Sequence, residues 1–166
     1  MPSPGGLTLH HIGCVVDSIE KRIESYRAGL GVESVSPIFE DPIQRSRVAF
    51  LNFPTAGAAR LELVEPITSD SPAARFLEKG GGLHHLCYEV DDLQEQIEWM
   101  KSQRAVLIRS PKPAVAFSGR HIAWVRTRDA LLIEYLERHL PGSSQEAGRP
   151  PGQEDRIVVG HVELER

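Results

Sequence analysis

Two cysteines in 166 residues leave no material for a disulfide framework. Cys14 and Cys87 both sit inside apolar stretches and read as buried thiols of a reducing compartment. No apolar run approaches the roughly 20 residues that a membrane helix needs. The start, Met1-Pro2-Ser3-Pro4-Gly5-Gly6, lacks the basic and apolar segments of a signal peptide. Aromatics make up only 6% of the chain, no basic stripe interleaves with them, and the formal net charge is −4. Nucleic acid is thereby excluded as a partner. The expectation is a soluble cytoplasmic protein without a nucleic-acid or membrane partner. A hydrophobic content of 40% and a charged content of 25% are ordinary for one globular domain or two fused half-domains.

What the chain does have is a repeat, the first feature to seek in any sequence. Leu9-His10-His11-Ile12-Gly13-Cys14-Val15-Val16-Asp17 matches Leu83-His84-His85-Leu86-Cys87-Tyr88-Glu89-Val90-Asp91 without a gap, 74 positions on. Leu61-Glu62-Leu63-Val64-Glu65 matches Ile133-Glu134-Tyr135-Leu136-Glu137 two positions closer together, a difference that loops absorb. Between these markers each copy reads β-α-β-β-β. In the first copy the strands fall at 9–16, 32–39, 47–53 and 59–65. Its helix spans 18–29, with Asp17 as cap and Glu20 completing a capping box. A short helix over 72–78 precedes the glycines 80–82. The second copy has strands at 83–90, 106–109, 120–126 and 131–137, a helix over 93–103 capped by Asp91 or Asp92, and a loop over 111–119. The organisation is one α+β domain over 8–137, with modules at 8–66 and 83–137 joined by a linker at 67–82. Residues 138–166 form a linker and tail, with an edge strand expected near 156–165.

His11, Glu62, His85 and Glu134 are the polar residues that recur on apolar strands. Side chains alternate across a strand, so each can face a cleft while its neighbours pack. If the two copies pair about a pseudo-twofold axis, two imidazoles and two carboxylates meet. That is a mixed N/O site suited to a divalent metal. A strand histidine is as readily a satisfied core residue and a strand glutamate a solvated one, so the repeat alone leaves the metal open. By the same alternation His10 and His84 point away from their neighbours and serve structure. Cys87 reads as a packed thiol rather than a ligand.

The segments Leu9–Asp17, Arg60–Pro66, Ser71–Leu77, Gly81–Asp92 and Leu132–Glu134 resemble the vicinal oxygen chelate superfamily. Within it they are most similar to the methylmalonyl-CoA epimerases and their glyoxalase-like relatives. The likeness runs from about residue 8 to 137. It implies two tandem βαβββ modules closed into a cup-shaped, partly open eight-stranded barrel, the glyoxalase/bleomycin-resistance fold. It also implies Zn, Co, Ni or Mn held by His11, Glu62, His85 and Glu134. The implied chemistry is proton transfer next to a carbonyl through a metal-stabilised enolate, with Glu134 as the base and Glu62 as its partner. A small carbonyl or thioester substrate and a homodimer follow from the same likeness. Gln44, Arg47, Arg120 and His121 are expected at the pocket mouth, the arginines as forks for a carboxylate or phosphate.

A glyoxalase I-type lyase would use the same two His and two Glu. A metal-free binding or resistance protein has no need of four ligands, and an extradiol dioxygenase uses one Glu fewer. The 113–130 segment lacks the His-Pro turn of the epimerases, and the stretch from Pro141 is extra.

Overall fold

The computed structural model describes residues 4–55 and 57–139. The expected tail strand lies outside the described residues. The first half runs β1 (Thr8–Val15), α1 (Ile19–Leu30), β2 (Ser34–Val35), β3 (Phe39–Asp41), β4 (Ser46–Asn52) and β5 (Arg60–Pro66). A short α2 (Ala74–Glu78) leads to the second half: β6 (Gly82–Val90), α3 (Leu93–Ser102), β7 (Val106–Pro113), β8 (His121–Arg126) and β9 (Leu132–Glu137). Among the described residues all strands belong to one sheet ordered β2-β4-β5-β1-β6-β9-β8-β7, with β3 also beside β4. β1 and β6 run antiparallel at its centre, and each has the last strand of its own half parallel to it, β5 and β9. The repeat thus becomes a pseudo-symmetric sheet whose middle pair carries both His-His motifs.

Among the described residues nine strands stand where the two modules were expected to give eight. The expected 32–39 strand is broken at Pro37, which has no N–H to give to a ladder. The two pieces still follow the same partner: Ser34–Val35 opposite Asn52–Leu51, and Phe39–Asp41 opposite Val48–Ser46. The Ser36 hydroxyl accepts the Phe50 N–H at 2.9 Å across the break.

Ser18 rather than Asp17 caps α1, accepting from the Lys21 N–H, while Asp17 pairs with Arg22 at 3.1 Å. Gly31 closes the helix at φ 66°, a backbone region that suits glycine. Asp92 caps α3 through the Glu95 N–H at 2.8 Å. β7 runs on to Pro113, past the expected 106–109, because a prolyl ring is tolerated on an edge strand.

One sheet face packs the helices. Leu93, Ile97 and Met100 of α3 lie against Ala123, Val125, Ile133 and Tyr135, and Ile19 of α1 lies against Ala49, Leu51 and Leu63. A side chain buried as fully as Ile97 contributes about 1.5–3 kcal/mol. The other face turns Val48, Val64, Phe50, Cys87, Ile122 and Leu136 inward. Glu62 and Glu134 alternate in phase with this inner set.

Alternation fails at two points, and both matter. Along β1 and β6 the register steps from Leu9↔Tyr88 to His11↔Cys87, and from Gly13↔His85 to Cys14↔Leu83. His10 is the extra residue of one bulge and His84 of the other. A bulge re-aims side chains. Neither histidine therefore points away from its neighbour, as strict alternation would require.

Candidate metal centre

His11 comes from β1, His85 from β6, Glu62 from β5 and Glu134 from β9, so the four central strands supply one residue each. All four are buried, at 0%, 4%, 6% and 3% exposure. His11 Nε2 lies 3.2 Å from His85 Nε2, 3.3 Å from Glu62 Oε2 and 3.1 Å from Glu134 Oε2. His85 Nε2 lies 3.2 Å from Glu62 Oε2 and 3.6 Å from Glu134 Oε2. One donor atom from each residue falls within 4.8 Å of every other.

Such spacing is that of ligands around one ion with bonds of about 2.0–2.2 Å. A hydrogen-bonded core describes the cluster less well. Glu134 Oε2, though 3.1 Å from an imidazole nitrogen, has no directed hydrogen bond among the described residues. A buried carboxylate oxygen without a donor is the atom that a cation would satisfy. The residues therefore fit a divalent metal.

Charge tells the same story. Burial opposes ionisation of Glu62 and Glu134, but the facing imidazoles outweigh it and hold both carboxyls below the usual range. Burial also opposes a charged His11. The Glu62 charge and the close Glu134 carboxylate override it and raise His11 to about 10. His85 moves the same way, with burial again outweighed by the two carboxylates. Burial, and then the Glu134 charge, push the Cys87 thiol well up, so in the ion-free centre it stays protonated.

Glu62, His85 and Glu134 line the floor of a cavity of about 410 Å³, while His11 is fully buried and takes no part in the lining. Val48, Val64, Phe76, Phe117, Ile122 and Trp124 give it apolar walls. Phe117 stacks on the His11 ring at 5.9 Å, and Trp124 meets His85 edge-on at 4.7 Å. These rings pack directly against the two imidazoles.

Of the four expected mouth residues, Gln44 lines the cavity and the other three do not. Arg47 follows Ser46 and precedes Val48, both of which face in, so alternation turns it out to Glu65 at 3.2 Å and to Glu20. Arg120 pairs with Glu89 at 2.7 Å and lies over the Phe117 ring. His121 pairs with Glu137 at 3.3 Å.

Polar wall residues without a functional expectation from the sequence are Asp41, Ser46, Ser71, Arg109 and Arg126. Arg109 donates to Gln44 Oε1 at 3.0 Å, tying β7 to the β3–β4 turn. Asp41 is buried and accepts the Ile43 and Gln44 N–H groups through Oδ1. The turn residue Asp41 announces itself by Asx-turn chemistry. The arginines carry no local signal, because their role depends on which sheet face they take.

Gly13 carries no functional signal in the sequence, yet it shapes the centre. A Cβ there would lie 1.9 Å from His85 Cε1 and 2.2 Å from Nδ1, so the imidazole rests directly on the glycine backbone. Gly13→Leu fills the space that the His85 ring occupies. The variant is expected to lose about 1–3 kcal/mol of stability through overpacking and, with the centre read as a metal site, its capacity to take up an ion. Metal analysis and denaturant unfolding measure the two effects.

The sequence pattern of the glyoxalase/bleomycin resistance protein/dioxygenase superfamily matches residues 10–124. The chain belongs to this superfamily. Among its relatives, an ethylmalonyl-CoA/methylmalonyl-CoA epimerase of Cereibacter sphaeroides is 32% identical over 123 residues, 73% of this chain and 89% of that protein. The Bacillus subtilis protein YqjC, which is uncharacterised, is 35% identical over 133 residues, 78% of this chain and 91% of its own length. The crystal structure of methylmalonyl-CoA epimerase from Mycobacterium tuberculosis matches with a TM-score of 0.69 at 28% identity, over 78% of this chain and 87% of that one. Like other members of the superfamily with this fold, the chain is mixed α+β around a curved open sheet. In this superfamily member β5, β1, β6 and β9 bring the four residues together, while β4, β8 and the segments around Phe76 and Phe117 supply much of the wall. Among the described residues no helix is long and apolar enough to cross a membrane.

Proposed function

We propose that this chain is a metal-dependent isomerase that moves a proton on the carbon next to a carbonyl, with an acyl-CoA thioester of the methylmalonyl-CoA kind as substrate. The observation that carries this reading is a pair of buried carboxylates, one from each half, converging with two imidazoles on the floor of an apolar cavity. The epimerases among its relatives support the same substrate class.

His11, His85, Glu62 and Glu134 would hold the ion, and Zn, Co, Ni or Mn suits such a mixed set. When bound, it supplies Lewis-acid stabilisation of negative charge on a carbonyl oxygen. Glu134 is ionised at neutral pH, the form that accepts a proton. Glu62 approaches from the repeat-related strand, as its partner for the opposite face of a planar intermediate. Phe117 and Trp124 keep the reacting carbon dry, and Gln44 and Arg109 stand where a polar acyl substituent enters. A homodimer, the usual symmetric assembly, belongs to the same reading, and sedimentation velocity reads it.

Purified metal-loaded protein in deuterium oxide should exchange the α-proton of methylmalonyl-CoA and interconvert its epimers, followed by proton NMR. Absence of exchange, together with turnover of a methylglyoxal–thiol hemithioacetal, would replace this reading by the lyase reaction.

A further inference from the structure

The first histidine of each pair takes no place among the four donors, yet the fold treats His10 and His84 alike. Each is the extra residue of a bulge in the central strand pair. Each bulge brings two consecutive rings to one another: His10 Nδ1 lies 2.8 Å from His11 Nδ1, and His84 Nδ1 lies 3.1 Å from His85 Nδ1. Aromatic neighbours fix the outer rings. His10 meets Phe117 edge-on at 5.5 Å and Phe50 at 6.3 Å, and His84 meets Phe76 at 4.7 Å.

Two imidazole nitrogens at this distance share one proton, so one donates and the other accepts. A histidine that offers its Nε2 lone pair to a cation carries its proton on Nδ1. The outer ring must then present a bare Nδ1. We infer that His10 and His84 are positioning residues that accept the Nδ1–H of His11 and His85, holding both inner rings with Nε2 aimed at the four-donor centre. This rests on the reading of that centre as a metal site.

The partner of a ligating histidine is usually a carboxylate, a backbone carbonyl or water. Here it is a neutral ring, and the charge count shows what that achieves. Glu62 and Glu134 already match a divalent ion in charge. A carboxylate behind each histidine would add two buried negative charges with no cation to answer them, which is costly in a buried site. A neutral imidazole orients its neighbour without adding charge.

The test uses the full chain, zinc as the probe and two variants at one position. His84→Phe keeps an aromatic ring and removes the acceptor, whereas His84→Gln keeps an acceptor oxygen. His84→Phe should weaken zinc binding roughly 10- to 100-fold, and His84→Gln should recover most of that loss. Long-range proton–nitrogen NMR of the zinc-loaded wild type should show Nδ1 protonated on His11 and His85 and Nε2 protonated on His10 and His84. A His84→Phe variant that binds zinc like the wild type overturns the inference. So does wild-type NMR with the proton on Nδ1 of His10 and His84, which decides the matter even if the phenylalanine variant does not fold. Failure of the wild type to bind zinc, cobalt, nickel or manganese would instead sink the metal reading itself.

Discussion

Glu134→Gln is expected to slow α-proton exchange into methylmalonyl-CoA by roughly a hundred- to ten-thousandfold, the share of rate that a positioned general base supplies. Glutamine matches glutamate in shape and keeps a carbonyl oxygen where Glu134 Oε2 faces both imidazoles, so it should stay packed in the centre of β9. What it lacks is the charge and the basic lone pair. The variant should therefore retain a bound ion and its circular-dichroism melting profile while losing exchange, which separates lost chemistry from lost fold. Glu62→Gln is the control from the other half. With Glu134 intact, one face of the substrate still has its base, so exchange of one epimer should persist while inversion fails. Full exchange by Glu134→Gln would remove Glu134 from the role of base. Loss of both activities in Glu62→Gln would show that the two carboxylates do not divide the faces between them.

The symmetry behind that experiment could be read from the sequence because it depends on local quantities alone. Glu62 and Glu134 occupy matching places in two apolar strands, and strand alternation by itself puts them on the inner face. His11 and His85 follow from the repeat in the same way. The helix of each half could be placed by its cap and apolar spacing, with an error of one residue at Ser18. His10 and His84 could not be placed, because a bulge is a property of two strands in register and leaves no mark on one. Pro37 was visible, but not that both halves of the broken strand would stay on β4.

The cavity wall was harder still. Arg47 sits one residue from Ser46, and only the choice of face separates a substrate fork from the outward pair with Glu65. Arg120, at the start of an expected strand, was expected as a fork at the pocket mouth, yet Glu89 occupies it. Arg109 lies on a strand that the sequence ended too early. Such residues answer to tertiary pairing, and pairing between strands distant in sequence carries no local periodicity.

With the centre read as a metal site, removing the ion is expected to lower the melting temperature by roughly 10 °C or more. An ion held at a thousand times its dissociation constant adds about 4 kcal/mol to the folded state. One kcal/mol moves the midpoint of a domain of this size by about 2–8 °C. Scanning calorimetry with chelator, then with the ion restored, measures the shift. The ion-free centre buries two carboxylates, and the proton on His11, raised to about 10, answers part of their charge. An entering ion must displace that proton, because the same Nε2 atom faces the centre. Affinity should therefore rise with pH between 6 and 8, by about tenfold per unit for each proton released. Titration calorimetry in buffers of different ionisation enthalpy counts those protons directly. A melting temperature indifferent to chelator, with no proton release, would mean that the four residues answer one another and no ion. Proton release with one ion per chain would mean that the proton only keeps the place of the metal.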